Sequence, residues 1–291
     1  MLDGVRKYLP GKLGEVPTVI PVVRLQGAIG VSSSPFSSTL SLANVARPLD
    51  KAFSMPGPAV ALIVNSPGGS PVQSRLIHNR IRSLAKQHDK EVLVFVEDVA
   101  ASGGYMIAVA GDEIIADASS IVGSIGVIYA GFGFTGALDK LGIERRLHTA
   151  GENKALLDPF SPERDEDVRH LKAIQQEVHD DFIDLVKSRR GDVLSEAPDL
   201  FSGLFWTGTA GRDLGLVDSL GDLRSVLRAR FGEEVKTRLV TAPRSLLGRR
   251  QGVGVAAALG ELLTGRDQGA GLAEEAITAL ENRALWARFG L

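Results

Sequence analysis

The sequence predicts an α/β protein with a mainly parallel sheet covered by helices, on three observations. Strand and helix patterns alternate along most of the chain. The apolar runs at residues 59–64 and 91–97 are typical of parallel strands that are buried on both faces. Between them, residues 74–88 place Arg and Lys on one face and Leu and Ile on the other, as in an amphipathic crossover helix. Repeated crossovers of this kind build parallel sheets.

The other predicted elements continue the same alternation. Residues 18–25 form a first strand, and the apolar residues within 40–53 have helical spacing. A helix starts near Ser102, a short strand covers residues 113–116, and a glycine-rich, hairpin-like region follows at 122–128. The order of these elements places glycine-rich turns after two neighbouring parallel strands.

A long charged helix and a change of pattern define the organisation after the sheet. The helix covers residues 162–190, and its apolar stripe consists of Leu171, Ile174, Val178, Phe182 and Leu185. From residue 235 onward, one strand-like run is followed by helices rich in Ala, Leu and Glu. We therefore predict an N-terminal extension (1–15), one α/β domain (16–232) and a helical C-terminal extension (233–291).

Composition narrows the class of protein without naming a function. The chain has 291 residues, of which 44% are hydrophobic, and a formal net charge of −2. This length allows a substantial core, and the charge gives no electrostatic footprint for nucleic acid. The absence of cysteine excludes a disulfide framework, a thiol nucleophile and a thiolate metal site. Because we find neither a signal peptide nor an apolar run of about 18 residues, we expect a cytoplasmic protein or one peripheral to a membrane.

The most informative motif is Ala101-Ser-Gly-Gly-Tyr105, which follows the second apolar run. A serine on a strand-to-helix turn exposes its hydroxyl beside free backbone N–H groups, as nucleophilic acyl transfer requires. The usual G-x-S-x-G motif is absent, because Val99, Ala100 and Ala101 precede Ser102. A serine that caps a helix, followed by turn glycines, accounts for the same pattern.

A second glycine-rich turn, Asn65-Ser-Pro-Gly-Gly-Ser70, follows the first apolar run. Sites in open α/β sheets lie off the carboxyl ends of the strands, where both turns are expected. The N–H groups of Gly69 and Gly103 could therefore converge on one oxygen as an oxyanion hole. Two ordinary β-α turns are the alternative interpretation.

A serine nucleophile needs a base, for which histidine and lysine are the candidates. Four of the five histidines are expected on solvated helix faces: His78, His88, His170 and His179. His148 lies near a glycine-bounded loop and stays a candidate base. Lys154 lies in a glycine-containing loop, and burial against the apolar residues 155–157 would favour its neutral amine. A solvated surface lysine is the alternative for that position.

Four motifs together resemble one family. The sequence is similar to the signal peptide peptidase A (protease IV) family, peptidase S49, within the Clp protease/crotonase superfamily. Residues 205–208 and 214–221 resemble the closing segment of that family, and the resemblance covers about residues 18–230. The four motifs are Asn65-Ser-Pro-Gly-Gly-Ser70, Ala101-Ser-Gly-Gly-Tyr105, Val122-Gly-Ser-Ile-Gly-Val127 and Gly151-Glu-Asn-Lys154.

This resemblance implies a Clp protease/crotonase-like fold of repeated β-β-α units and a serine endopeptidase. Ser102 would be the nucleophile and Lys154 the general base, with the lysine held by the hydroxyl of Ser124. Gly69 and Gly103 would supply the oxyanion hole. The implied substrates are cleaved signal peptides or other hydrophobic peptides, hydrolysed through an acyl-enzyme. No metal, nucleotide or organic cofactor is implied.

The resemblance also bears on assembly. Many members carry a transmembrane anchor, which we do not find here, and short members are understood to share each site between adjacent subunits of a ring. We therefore expect a homo-oligomer, with membrane association left open. A non-catalytic crotonase-like scaffold or membrane-associated adaptor is the alternative function, and an acyl-CoA enzyme ranks last. Of the remaining residues, Ser124 also fits an ST-turn, Asp98 a hydrogen bond to the serine turn, and Trp206 a packing position.

Overall fold

A single sheet of eight strands organises the computed structural model, which describes residues 17–30, 39–241, 280 and 283–291. The strands run in the order β6-β5-β3-β2-β1-β8, while β4 pairs with β3 and β7 pairs with β4. Every pairing is parallel except that of β5 with β6. The strands are β1 (Val19–Gln26), β2 (Ala59–Ser66), β3 (Glu91–Ala101), β4 (Glu113–Ala116), β5 (Ile121–Gly123), β6 (Phe205–Thr207), β7 (Ser219–Leu220) and β8 (Lys236–Leu239).

Helices connect most of these strands, which confirms the predicted α/β class. Residues 283–287 are also helical. The helices are α1 (Leu42–Ser54), α2 (Pro71–His88), α3 (Gly103–Ala108), α4 (Thr135–Leu141), α5 (Asp165–Arg190), α6 (Gly208–Asp213) and α7 (Leu223–Phe231), with a 3-10 turn at Gly191–Val193.

The core lies on both faces of the sheet. All eight residues of β2 are buried, as its uninterrupted apolar run predicts. On one face, Leu62 and Val94 pack with Phe53 of α1 and Ile77 of α2. The opposite face has a smaller cluster in which Leu227 of α7 covers residues of β1 to β4. Burial of each large side chain contributes roughly 1.5–3 kcal/mol, so the central strands are the best-stabilised part of the molecule.

Strand β3 is longer than the sequence indicates and changes its neighbour midway. The predicted strand ends at residue 97, whereas β3 continues to Ala101. Its first half pairs with β4 up to Val96, and its last three residues pair with β5. The half-buried Glu97 and exposed Asp98 interrupt the apolar pattern at the change, which is why the sequence suggests an end there.

Two other predictions are corrected. The glycine-rich region at 122–128 is not a hairpin, because β5 pairs antiparallel with the sequence-distant β6. The long helix begins at Asp165, and only the C-terminal part of its apolar stripe is buried. Phe182 is buried in the core, whereas Ile174 remains 44% exposed. The stripe has no partner over its first half within the described part of the chain.

The strand-like run expected after residue 235 is β8, which pairs with β1 at the edge of the sheet. Residues 1–16, 31–38, 242–279 and 281–282 lie outside the described part. Most of the predicted C-terminal helical extension and all of the N-terminal extension fall there, so the boundaries at 15 and 232 remain predictions. Among the described residues, no helix is long and apolar enough to cross a membrane.

Candidate active site

Ser102 occupies a strained turn between β3 and α3. Its φ of 53° and ψ of −123° are unusual for a residue other than glycine. The backbone is held there because the Ser102 N–H donates a 2.8 Å hydrogen bond to the carbonyl of Gly123. The side chain of Ser102 makes no capping bond to α3. Helix capping therefore does not account for this serine, and its hydroxyl is available for chemistry.

The turn after β2 packs directly against the serine turn. Gly68 and Gly69 have φ values of 102° and 138°, which side-chain-bearing residues rarely adopt. A Cβ added to Gly68 would lie 2.8 Å from the Cβ of Ser102 and 2.9 Å from the nitrogen of Gly103. A Cβ added to Gly103 would lie 3.4 Å from the nitrogen of Gly69. Glycine is therefore required sterically where the two turns meet.

The two N–H groups expected to form an oxyanion hole lie side by side and unoccupied. Ile29 fixes the first turn, because its N–H donates to Gly68 and its carbonyl accepts from Ser70, each at 2.8 Å. Gly69 lies between these two bonds, and Gly103 is the first residue of α3, where helical N–H groups lack partners. Neither N–H has an acceptor among the described residues. Two N–H donors without acceptors at one junction are the components that an oxyanion hole requires.

Ser124 lies beside the serine turn at the end of β5. Ala101 and Gly123 are paired residues of β3 and β5, so Ser124 follows next to Ser102. Ser124 is only 2% exposed and has a φ of 53°, and its N–H donates a 2.7 Å hydrogen bond to the carbonyl of Leu204. A Cβ on Gly123 would lie 2.7 Å from the indole of Trp206, which agrees with a packing role for that tryptophan.

Lys154 is the one predicted site residue that the single chain does not bring to this cluster. Lys154 is exposed, and no hydrogen bond joins it to Ser102 or Ser124 within the described residues. Residues 155–157 are only half-buried, so the expected apolar burial of the lysine is absent from the isolated chain. The surrounding segment of residues 128–164 is largely exposed, and its exposed apolar residues are Ile128, Tyr129, Phe132, Phe134, Leu141, Ile143, Leu147 and Phe160.

Three of the four histidines predicted on solvated helix faces are at least partly buried, and only His170 is exposed as predicted. His78 is 3% exposed, and its Nδ1 donates a 3.1 Å hydrogen bond to the carbonyl of Met106 in α3. Burial lowers the pKa of His78 from 6.5 to about 4. His179 is half-buried and contacts the carbonyl of Ile125 through Nε2 at 3.0 Å, next to Ser124. His88 is half-buried, while His148 and His170 are exposed.

Helix α3 is anchored behind the serine turn by contacts that the sequence does not reveal. The buried Tyr105 hydroxyl donates a 2.8 Å hydrogen bond to the carbonyl of Leu216. Arg82 donates to the Ala110 carbonyl at 3.0 Å, and Arg189 donates to the Val109 carbonyl at 2.9 Å. The two guanidinium groups interact favourably with the partial negative charge at the C-terminal end of α3. Because the acceptors are backbone carbonyls, no residue type in the sequence signals these bonds.

A cavity of about 830 Å³ lies against β1, β2 and β3, on the side of the sheet that α7 partly covers. Asn65, Asp98, Arg24 and Arg224 are among its lining residues, and the proposed catalytic groups are not. We therefore do not treat it as the reaction site. No group of metal-ligating side chains occurs among the residues that the structure describes.

Comparison with known proteins identifies the family. The model of peptidase family S49 matches residues 84–236, slightly more than half of the chain. The chain belongs to peptidase family S49. This family implies a Clp protease-like fold, in agreement with the mainly parallel sheet and its flanking helices. The S49 match includes Ser102, Ser124 and Lys154.

Curated relatives extend the similarity beyond the matched segment. A protein of Brucella abortus named Na(+)/H(+) antiporter NhaA is 55% identical over 99% of this S49 chain and 39% of its own length. A putative protease of Methanocaldococcus jannaschii is 35% identical over 64% of the chain and 58% of its own length. A putative signal peptide peptidase SppA of Enterococcus faecium is 31% identical over 56% of the chain and 47% of its own length. The chain thus spans only part of each of these relatives.

Proposed function

We propose that this S49 protein is a serine endopeptidase with Ser102 as nucleophile and Lys154 as general base. The observation that carries the proposal is the junction of the two turns. There, a strained serine lies against two unoccupied N–H groups, those of Gly69 and Gly103. Nucleophilic attack on a carbonyl needs this pairing of a hydroxyl with a preorganised site for the oxyanion.

The proposed reaction follows from these groups. The neutral amine of Lys154 takes the hydroxyl proton as the Ser102 oxygen attacks a peptide carbonyl. The N–H groups of Gly69 and Gly103 stabilise the oxyanion, each contributing about 2.7–4 kcal/mol in comparable enzymes. The lysine then passes the proton to the leaving amine, and the peptide C–N bond breaks to leave an acyl-enzyme. A water activated by the same lysine attacks the ester and releases the acid.

A neighbouring copy of the chain completes the site in this proposal. Lys154 is exposed and apart from Ser102 in the single chain, while the segment around it exposes many apolar residues. Large exposed apolar patches mark interaction surfaces. In a closed homo-oligomer, packing of residues 128–164 on a neighbour would cover these residues and desolvate the lysine. Ser124 would then hold the amine through its hydroxyl.

Hydrophobic peptides are the proposed substrates. Val72 and Leu76 are 65% and 41% exposed at the start of α2, directly after the Gly69 turn. Apolar side chains of an extended peptide can contact this surface while its carbonyl occupies the oxyanion hole. The Enterococcus faecium relative is named a putative signal peptide peptidase, which points to cleaved signal peptides as one such class. A location in the cytoplasm or at a membrane surface belongs to the same proposal.

One observation favours a second function. Lys154 has no contact with Ser102 in the isolated chain, as expected for a non-catalytic scaffold with an unused site. The two functions differ in the reactivity of Ser102, because only an activated serine reacts rapidly with a fluorophosphonate.

A labelled fluorophosphonate probe applied to the assembled full chain tests the choice. We expect labelling of the wild-type protein, loss of labelling in Ser102→Ala, and wild-type labelling in Ser119→Ala. Ser119 is a suitable control because it is an exposed serine in the turn between β4 and β5. Ser102→Ala should fold normally, since the Ser102 side chain makes no capping bond. A folded wild-type protein that is not labelled would support the scaffold instead.

A further inference from the structure

Beyond the groups that react, one part-buried hydrogen bond joins strands β2 and β3 shortly before the two turns of the candidate site. Strands β2 and β3 pair in regular register up to Val64 and Val96. The next paired residues are Ser66 and Ala100, so β3 advances by four residues while β2 advances by two. The extra length forms a bulge that contains Glu97 and Asp98. Bulges re-aim the side chains that follow them, and Ser102 follows this one after three residues.

The bulge lies where the neighbour of β3 changes from β4 to β5. No continuous set of strand hydrogen bonds therefore fixes the position of the bulge on that side. Pairing with β4 ends at Val96, and pairing with β5 begins at Val99. On this side, the buried hydroxyl of Ser120 donates to the carbonyl of Glu97 at 2.5 Å. On the other side, the amide of Asn65 donates a 2.6 Å hydrogen bond from Nδ2 to Oδ2 of Asp98.

Asn65 makes a single side-chain hydrogen bond within the described residues, the one to Asp98. It is 5% exposed, and its Oδ1 is the buried side-chain atom for which no partner is found among the described residues. An unsatisfied buried acceptor costs about 1–3 kcal/mol, which an apolar side chain would avoid. The bond to Asp98 therefore accounts for an amide at position 65.

Only a few residues of the chain separate this hydrogen bond from either turn. Asn65 precedes Ser66, whose hydroxyl accepts from the N–H of Gly68 at 3.3 Å and donates to the carbonyl of Gly27 at 2.7 Å. Asp98 is followed by the three buried residues that lead to Ser102. A shift of the bulge would therefore move the serine relative to the Gly68–Gly69 turn.

We propose that Asn65 and Asp98 are positioning residues, which clamp the β3 bulge and thereby set the nucleophile against the oxyanion hole. The proposal rests on the function proposed above, and neither side chain touches the substrate. The role of Asp98 is geometric: its carboxylate accepts a hydrogen bond and takes no proton in the reaction.

Three variants of the full chain test the clamp, with peptide hydrolysis and fluorophosphonate labelling as readouts. Asp98→Ala removes the acceptor and should lower kcat about 10- to 100-fold, the size expected for a misplaced reacting group, with KM changed less than about threefold. Asp98→Asn keeps an oxygen that can accept from Asn65 and should retain kcat within about threefold. The rate of Ser102 labelling should follow kcat in both variants, and the midpoint of the pH profile should not move.

Glu97→Ala is the matched control. Glu97 belongs to the same bulge, but its carboxylate pairs with Arg24 at the surface, so kcat should change less than about twofold. Asp98→Ala leaves the buried Nδ2 of Asn65 without its acceptor, so its melting temperature should fall modestly below that of Glu97→Ala. Its unfolding transition should remain cooperative and lie above the assay temperature, which separates positioning from loss of fold. A wild-type kcat in Asp98→Ala, equal losses in Asp98→Asn and Asp98→Ala, or a shifted pH midpoint would overturn the clamp. A wild-type protein that neither hydrolyses peptide nor reacts with the probe would overturn the proposed function, and the clamp with it.

Discussion

Gly68 lies so close to Ser102 that a Cβ at position 68 would be 2.8 Å from the serine Cβ. This separation is shorter than van der Waals contact, and the clash is with backbone and Cβ atoms that have no freedom to rotate away. The two turns are therefore fitted to each other at the level of the main chain. A functional site built in this way tolerates little change in either turn.

We expect Gly68→Ala to lower kcat at least about 100-fold, because the turn must shift and φ is +102° there. Peptide hydrolysis measures the effect, and thermal melting measures the accompanying loss of stability. Gly232→Ala is the control, since φ is +90° there too but an added Cβ meets nothing within 4 Å. A Gly68→Ala enzyme as active as Gly232→Ala would show that the turn does not define the site.

A shared site predicts complementation between inactive variants. Ser102→Ala retains the lysine and Lys154→Ala retains the serine, so mixed oligomers contain some intact pairs. Hydrolysis should return after subunits of the two proteins have been exchanged. Two preparations of Ser102→Ala treated alike serve as the control. Continued inactivity after exchange has been verified by mass spectrometry would contradict a site shared between subunits.

The identity of the base is tested by a charge-retaining substitution. We expect Lys154→Arg to be as inactive as Lys154→Ala, because guanidinium keeps its proton at any usable pH. Steady-state peptide hydrolysis by the two variants and the wild type measures the effect. Substantial turnover by Lys154→Arg would assign proton removal to another group, with His148 the first to examine.

His78 predicts a loss of stability in acid. Its pKa is lowered from 6.5 to about 4, mainly by burial; the hydrogen bond to Met106 opposes this shift, and the charges of three nearby arginines contribute to it. As the pH falls, His78 is therefore protonated near pH 6.5 in the unfolded chain but only near pH 4 in the folded chain. The free energy of unfolding should fall as the pH drops through this window, by up to about 3 kcal/mol.

Urea denaturation of the wild type and His78→Asn measures this contribution. Asparagine can still donate to the Met106 carbonyl but does not titrate, so the pH dependence of the variant should be shallower. Exposed carboxylates contribute equally to both proteins and cancel in the difference. Identical slopes for the two proteins between pH 6.5 and 4 would contradict the assignment to His78.

Local features of the site were predictable from the sequence, and long-range features were not. The apolar runs and the glycine-rich turns are short patterns, so Ser102, Gly69 and Gly103 are brought together as expected. The pairing of β5 with β6 depends on residues far apart in the chain and was mistaken for a hairpin. The burial of His78 depends on how α2 packs against α3, for which a helical pattern rich in Arg and Lys gives no signal. Lys154 lies on a surface that one copy of the chain does not cover.

The hydrogen bond from Ser124 to Leu204 has a consequence for the order in which the protein is made. The proposed catalytic residues all precede residue 155, yet β6, which borders Ser124, emerges from the ribosome much later. A nascent chain that carries every reactive group thus lacks one wall of the site until residues 205–207 are available. A chain truncated before residue 204 would therefore keep Ser102 and Lys154 but leave the N–H of the buried Ser124 without its acceptor.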